Sequence, residues 1–184
     1  MVELNKRPLY KNLVIPYVVM VKENKPFFKL NDSRVVYKCI KEKLCSVCGG
    51  KLENDMWLIG GPASAFHKQG AYADIPVHKE CAVYSLTTCP YMAYTQYTAK
   101  EGVSEKLKKE FPDVLLYNPT IDSTRLQYFV LVKIVDYSIS FNEFIHPVKP
   151  YLEIEYWKDG KQITVEEIKV INAIHDIENN EFDY

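Results

Sequence analysis

The sequence predicts a single α+β domain with an antiparallel β-sheet, a metal-binding subdomain and a C-terminal helix. Three observations predict it. The 184 residues are 47% hydrophobic, enough for one sizeable core. Apolar, β-branched runs alternate along the chain with stretches of helical period. Two pairs of metal-ligand residue types, each at x2 spacing, stand about thirty residues apart, at Cys45 and Cys48 and at His78 and Cys81. The whole of 1–184 reads as one domain, with a zinc-binding part over about 44–92 and a strand-rich, C-terminally helical part over about 113–178.

Taken in order, LVIPYVVMVK at 13–22 reads as a strand and ENKP at 23–26 as a turn. Asp32 or Ser33 can cap a helix that carries Val36, Cys39, Ile40 and Leu44 on one face and delivers the chain to Cys45. MWLIG at 56–60 reads as one strand of an irregular hairpin broken by Gly60-Gly61-Pro62. Pro76, preceded by Asp74 as a cap, predicts the first turn of a helix through VHKECAVYSLTT, ended before Cys89-Pro90. SEKLKKEF at 104–111 reads as a short amphipathic helix, and RLQYFVLVKIVDYSISF at 125–141 is the strongest strand signal in the chain. YLEIEYWKDGKQIT alternates around an Asp159-Gly160 turn, and Thr164 with Glu167 forms a capping box for the final helix.

With 23 Lys and Arg against 24 Asp and Glu, the composition carries no overall attraction to nucleic acid or membrane, so a nucleic-acid role needs a local patch. No apolar run reaches signal-peptide or membrane-span length, and a cytoplasmic protein is expected. Five cysteines without a secretion signal point to reduced thiols or thiolate ligands rather than disulfides.

CSVCGG at 45–50 and HKEC at 78–81 supply three thiolates and an imidazole, a donor set that suits one tetrahedral, structural zinc ion and leaves no open position. The metal ligands are therefore Cys45, Cys48, His78 and Cys81. Lys51 and the helix start around Val77 and Lys79 are the expected sources of compensating positive charge. Cys89 is an alternative to Cys81. Unligated core cysteines and a redox CxxC are the competing readings; the glycines after Cys48 speak against the redox motif, which opens a helix.

The order of knuckle, hairpin and helix resembles a treble-clef zinc finger. CSVCG, the Gly61-Pro62 break and HKECAVYSLTTCPY are together similar to a family of uncharacterised proteins encoded by tailed bacteriophages and the bacteria that carry them. YWKDGKQITVEEI resembles the same family's W-x-x-G segment, so the likeness spans 27–62, 74–92 and 150–175. It marks Cys45, Cys48, His78, Cys81, Cys89-Pro90, Trp157 and Gly160. The family's hairpin often has an Asn-Arg pair where this chain has Ala65-Phe66-His67. The resemblance implies zinc and a phage origin, with residence in the host cytoplasm, and it brings no established activity.

Treble clefs also carry HNH-type nucleases, which makes His67 the candidate general base; such a site needs a second metal on hard ligands, and only Asp74 is close in sequence. His146 and His175 lack motif context, and no nucleotide-binding or hydrolase motif occurs. Tyr91, Tyr94 and Tyr97 recur at intervals of three and could stack on bases or fill a partner's groove, although lysines 100, 106, 108 and 109 beyond them are interleaved with glutamates. The expected function is a non-catalytic, zinc-stabilised interaction module for a host or phage protein. The alternatives are a nucleic-acid-binding treble clef and a divergent HNH-like nuclease.

Overall fold

A computed structural model describes residues 3–94, 126–140 and 144–180. The helix expected over 104–111, Tyr97 and the lysines at 100–109 lie outside them. The described chain is α+β, with every strand pairing antiparallel.

A 3-10 turn at Leu4–Lys6 leads into a two-stranded ribbon, β1 (Leu9–Tyr10) and β2 (Leu13–Val14). The strand expected over 13–22 is interrupted at Pro16, which has no N–H to give a ladder. The next two residues pair elsewhere: Tyr17 donates its backbone N–H to Val47 O at 2.9 Å and Val18 to Ser46 O at 3.1 Å. The chain resumes as β3 (Val19–Lys22), turns through Glu23 and Asn24 at positive φ, and returns as β4 (Lys25–Asn31). Asp32 caps α1 (Ser33–Glu42), accepting from the Arg34 N–H at 3.0 Å, and Lys43 ends it in the left-handed region.

The main sheet is built of β5 (Met56–Gly60), β6 (Phe129–Ile134), β9 (Glu153–Lys158) and β10 (Lys161–Ile163). Their order across it is β10-β9-β6-β5. Asp159 and Gly160, both at positive φ, make the two-residue turn between β9 and β10. The apolar run at 125–141 is too long for one strand. It leaves the sheet after Ile134, where Asp136 pairs with Lys43 at 2.9 Å, and forms β7 (Tyr137–Ile139) against β8 (Ile145–Pro147).

Two stretches expected to be otherwise belong to helices or start late. Gly61-Pro62 does not break a hairpin; Pro62 opens a short helix, α2 (Pro62–Phe66), at the first-turn position where its missing N–H costs nothing. The helix expected from Pro76 begins three residues later as α3 (Lys79–Thr88), with His78 at the N-cap. Asp74 does not cap it. The capping oxygen comes from Asp55, whose Oδ2 accepts the Lys79 N–H at 3.1 Å. After α4 (Pro90–Ala93), the last element is α5 (Val165–Asn180), opened by the capping box: Thr164 N–H to Glu167 Oε2 at 2.7 Å and Glu167 N–H to Thr164 Oγ1 at 3.2 Å.

The sheet is covered on both faces. Register places Met56, Leu58, Val130, Val132, Ile134, Ile154 and Tyr156 on one face, where the Phe66 ring of α2 meets Tyr156 at 6.3 Å. Trp57, Phe129, Leu131, Lys133, Glu155 and Trp157 share the other, beneath α3 and α4: Lys79 lies 3.9 Å over the Trp57 ring and pairs with Glu155, and Tyr91 meets Phe129 edge-on at 6.0 Å. Tyr91 is thus committed to packing, whereas Tyr94 is exposed. One continuous core joins Leu4, the knuckle cysteines, both sheet faces and Ile168 of α5. No helix among the described residues is long and apolar enough to cross a membrane.

Leu131 is fully buried at the centre of this sheet. Leu131→Ala should cost about 2–5 kcal/mol by lost transfer energy and a residual cavity, read as a lower midpoint in a denaturant melt.

Candidate metal centre

The backbone around Cys45 is folded into a tight loop by its own hydrogen bonds. Leu44 and Lys51 face each other across an antiparallel bridge, Cys45 N–H donates to Gly50 O at 2.8 Å, and Gly49 N–H donates to Cys45 O at 2.9 Å. The turn requires φ of +81° at Gly49. A Cβ there would also stand 2.9 Å from the Tyr17 ring, so glycine is demanded twice. The loop aims two further N–H groups at sulfur: Cys48 N–H at Cys45 Sγ, 3.5 Å, and Gly50 N–H at Cys48 Sγ, 3.4 Å.

The second ligand pair is brought in by the outer edge of β5. Trp57 and Val77 exchange both backbone hydrogen bonds at 2.9 Å, which fixes His78 beside the loop and sets Cys81 in the first turn of α3. Asp55 secures the same junction from the other side, receiving Trp57 Nε1–H at 2.6 Å as well as the Lys79 N–H. The result is that one ligand atom from each of Cys45, Cys48, His78 and Cys81 lies within 4.8 Å of the other three, and all four residues are buried. His78 donates from Nε2 to Lys51 O at 2.8 Å, which orients Nδ1 toward Cys48 Sγ, 3.2 Å away. A backbone carbonyl on the distal nitrogen is the usual way a metal-binding imidazole is held in one tautomer.

The donor set fits a tetrahedral ion. Zn–S bonds of about 2.3 Å put the sulfurs of a tetrahedron roughly 3.8 Å apart, so a contraction of about an ångström or less closes the cluster. Three thiolates around a divalent ion leave about one negative charge. Neither expected lysine answers it: Lys51 Nζ bonds Glu42 O at 2.7 Å on the surface, and Lys79 is held over Trp57. The N-terminal arm lies nearer: burial lowers the proton affinity of the Arg7 guanidinium, with the Tyr17 and Cys48 charges opposing this, and the Glu3 backbone N–H adds a small preference for the Cys48 thiolate. Arg7 is held there by Nε–H to Ile15 O at 3.1 Å and by the Tyr17 ring, 5.2 Å from Cζ. Sequence reasoning misses both residues because nothing local ties positions 3 and 7 to position 48.

Proton affinities in this cluster follow from sulfur neighbours. Hydrogen bonds with Cys45 and Cys81 hold the Cys48 thiol far below its usual range, those with Cys45 and Cys48 push Cys81 up, and Cys45 and Cys48 raise His78 to about 10. The charged form is thus favoured at Cys48, and the protonated form at Cys81 and on the imidazole. Cys39 lies nearby but outside the cluster; burial pushes its thiol to about 12, so it behaves as a small core residue. Cys89 is at the α3–α4 junction and outside the cluster as well, which leaves Cys81 as the fourth ligand.

His67 is not brought to this site. It is exposed at the end of α2, where Nδ1 accepts the Gln69 N–H at 3.1 Å and its carbonyl accepts from Lys149 at 3.1 Å. His146 lies in β8. No family model matches the chain, and neither a curated protein nor a solved structure matches it.

Gly49→Ala should destabilise the protein by about 1–3 kcal/mol through strain at positive φ and the clash with Tyr17, a loss of several degrees in Tm. Asp55→Ala should lower Tm by a comparable amount, because it removes the acceptor for both the first N–H of α3 and the Trp57 indole, at about 1 kcal/mol or more for each.

Proposed function

We propose that this chain is a structural-zinc protein that acts as a non-catalytic interaction module, with Cys45, Cys48, His78 and Cys81 holding one Zn2+. The observation that carries it is the closed, buried group of four soft-to-borderline donors, with His78 oriented by Lys51 O. A four-coordinate ion in this group has no position left for water or substrate, so its contribution is to join four chain segments. The resemblance of the CSVCG and HKEC motifs to those of phage-borne proteins supports reading the module as one of that kind, and the nuclease alternative is weakened because His67 lies outside the four-ligand group.

The ion would supply folding free energy, typically on the order of 10 kcal/mol or more at neutral pH for such a site, comparable to the stability of a domain. Metal analysis of the purified protein should give about one zinc per chain. Cys45→Ser or His78→Ala should remove the zinc and lower Tm sharply; full zinc occupancy in a Cys45/Cys48 double variant would overturn the assignment.

Zinc retention should also fall with acidification. The metal-free group holds protons on Cys81 and on His78, whose affinity for a proton is raised to about 10. The bound state has released them, so it carries fewer protons and is favoured by rising pH. Chelator competition across a pH series should show affinity dropping by more than tenfold for each unit of pH lost, since more than one proton competes.

A further inference from the structure

The near-neutral total conceals a division of charge. Residues 1–52 contain eleven Lys and Arg and only four Asp and Glu, a net charge of +7; the remaining 132 residues contain twelve and twenty, a net charge of −8. Within the basic stretch two of the four acids are already used, Glu3 by Lys6 at 3.0 Å and Asp32 by Arg34 at 2.8 Å. Among the described residues, Lys11, Lys25, Lys29, Lys38 and Lys41 form no ion pair with a carboxylate.

These cations are interleaved with rings that are not buried. On one side of β4, Lys11 lies 5.7 Å over Tyr10, whose ring meets Phe28 at 6.4 Å; on the other, which Lys29 shares, Lys25 lies 5.5 Å over Phe27. On α1, Lys38 and Lys41 are one turn apart, and Lys38 Nζ reaches Tyr17 OH at 3.4 Å. Tyr17 in turn carries Arg7, on the chain that runs into β1. Phe28 and Tyr37 are 43% and 66% exposed, large apolar surfaces left in water, each next in sequence to a lysine, Lys29 and Lys38, of which Lys38 also feels the Glu42 charge.

We infer that the basic surface wrapping the β1–β2 ribbon, both sides of the β3–β4 hairpin and α1 binds single-stranded nucleic acid, with lysines on phosphates and Tyr10, Phe28 and Tyr37 as platforms for bases. Charge complementarity selects a polyanion, and the repeated pairing of ring and cation matches the alternation of base and phosphate along a single strand. A duplex would satisfy the lysines while leaving the rings no unstacked base, and an acidic peptide would likewise leave them uncovered. The inference rests on the interaction-module reading and names its partner class. The surface is attached to the knuckle through Tyr17 and Val18, so the protein must be tested with its zinc in place.

The test is fluorescence anisotropy of labelled oligothymidine and oligouridine with the full chain, with zinc content and Tm measured on every preparation. Binding of either strand supports the inference, and the ratio of the two tells DNA from RNA. With about four phosphates neutralised, affinity should fall roughly 50-fold between about 50 and 200 mM salt. A combined Lys11→Glu, Lys29→Glu and Lys38→Glu variant should lose binding at the higher salt, while Lys161→Glu with Lys169→Glu, on the acidic remainder, should leave it unchanged. Tyr37→Ala should weaken binding by about tenfold, the loss of one stacked base. Four results overturn the inference: no binding at low salt by zinc-loaded protein, equal effects of the two lysine sets, polyglutamate competing as well as the oligonucleotides, or salt-reversible self-association that occupies the surface instead. Absence of zinc from the wild type would be a failure of the metal assignment, recorded separately from these.

Discussion

Everything around the four-ligand cluster depends on one short backbone device, the loop that joins Cys45 to Gly50. Its hydrogen bonds point two N–H groups at sulfur, and its outer carbonyls at Ser46 and Val47 receive the chain that follows Pro16. The loop therefore organises two shells of structure at once: an inner one of soft donors and an outer one of ordinary peptide groups. Within the inner shell the sulfur contacts pull two buried neighbours in opposite directions, Cys48 toward the thiolate and Cys81 toward the thiol. A divalent ion bound there would resolve this conflict.

The position of the cluster in the fold follows from β5. This strand is at the end of the main sheet, so its outer edge is available to pair with Val77, and that single bridge carries His78 into place. An edge strand left bare is a hazard for pairing with other chains. Here the hazard is partly met by the segment that delivers the ligands, and Asp55 locks the arrangement by serving a helix N–H and an indole N–H with its two oxygens. Metal site and sheet edge are thus solutions to the same geometric problem.

Local signals were legible wherever partner and signal lie within a few residues. The Thr164–Glu167 capping box, the Asp159-Gly160 turn, the Asp32 cap and the CSVC and HKEC spacings each depend on neighbours in sequence, and each is found in place. What failed to be legible depends on distant partners. The late start of α3 is decided by Asp55, twenty-four residues away, and the interruption at Pro16 by carbonyls of the knuckle. Glu3 and Arg7 come within electrostatic range of Cys48 only because the N-terminal arm folds back toward it. The charge division is a different case: it is written in the sequence, but a whole-chain total averages it to nearly zero.

Tyr17 links the two regions. Its ring closes against Gly49 and supports Arg7, its backbone N–H is bound to Val47, and its hydroxyl accepts from Lys38. For anyone redesigning this chain, position 17 is where metal retention and surface charge cannot be tuned separately. A smaller residue there would leave space above the knuckle and at the same time release two cations from fixed positions. An engineer seeking a tighter ion should work from Asp55 or Lys51, and one seeking a different surface from Lys11 or Lys41, leaving the tyrosine as the shared hinge pin.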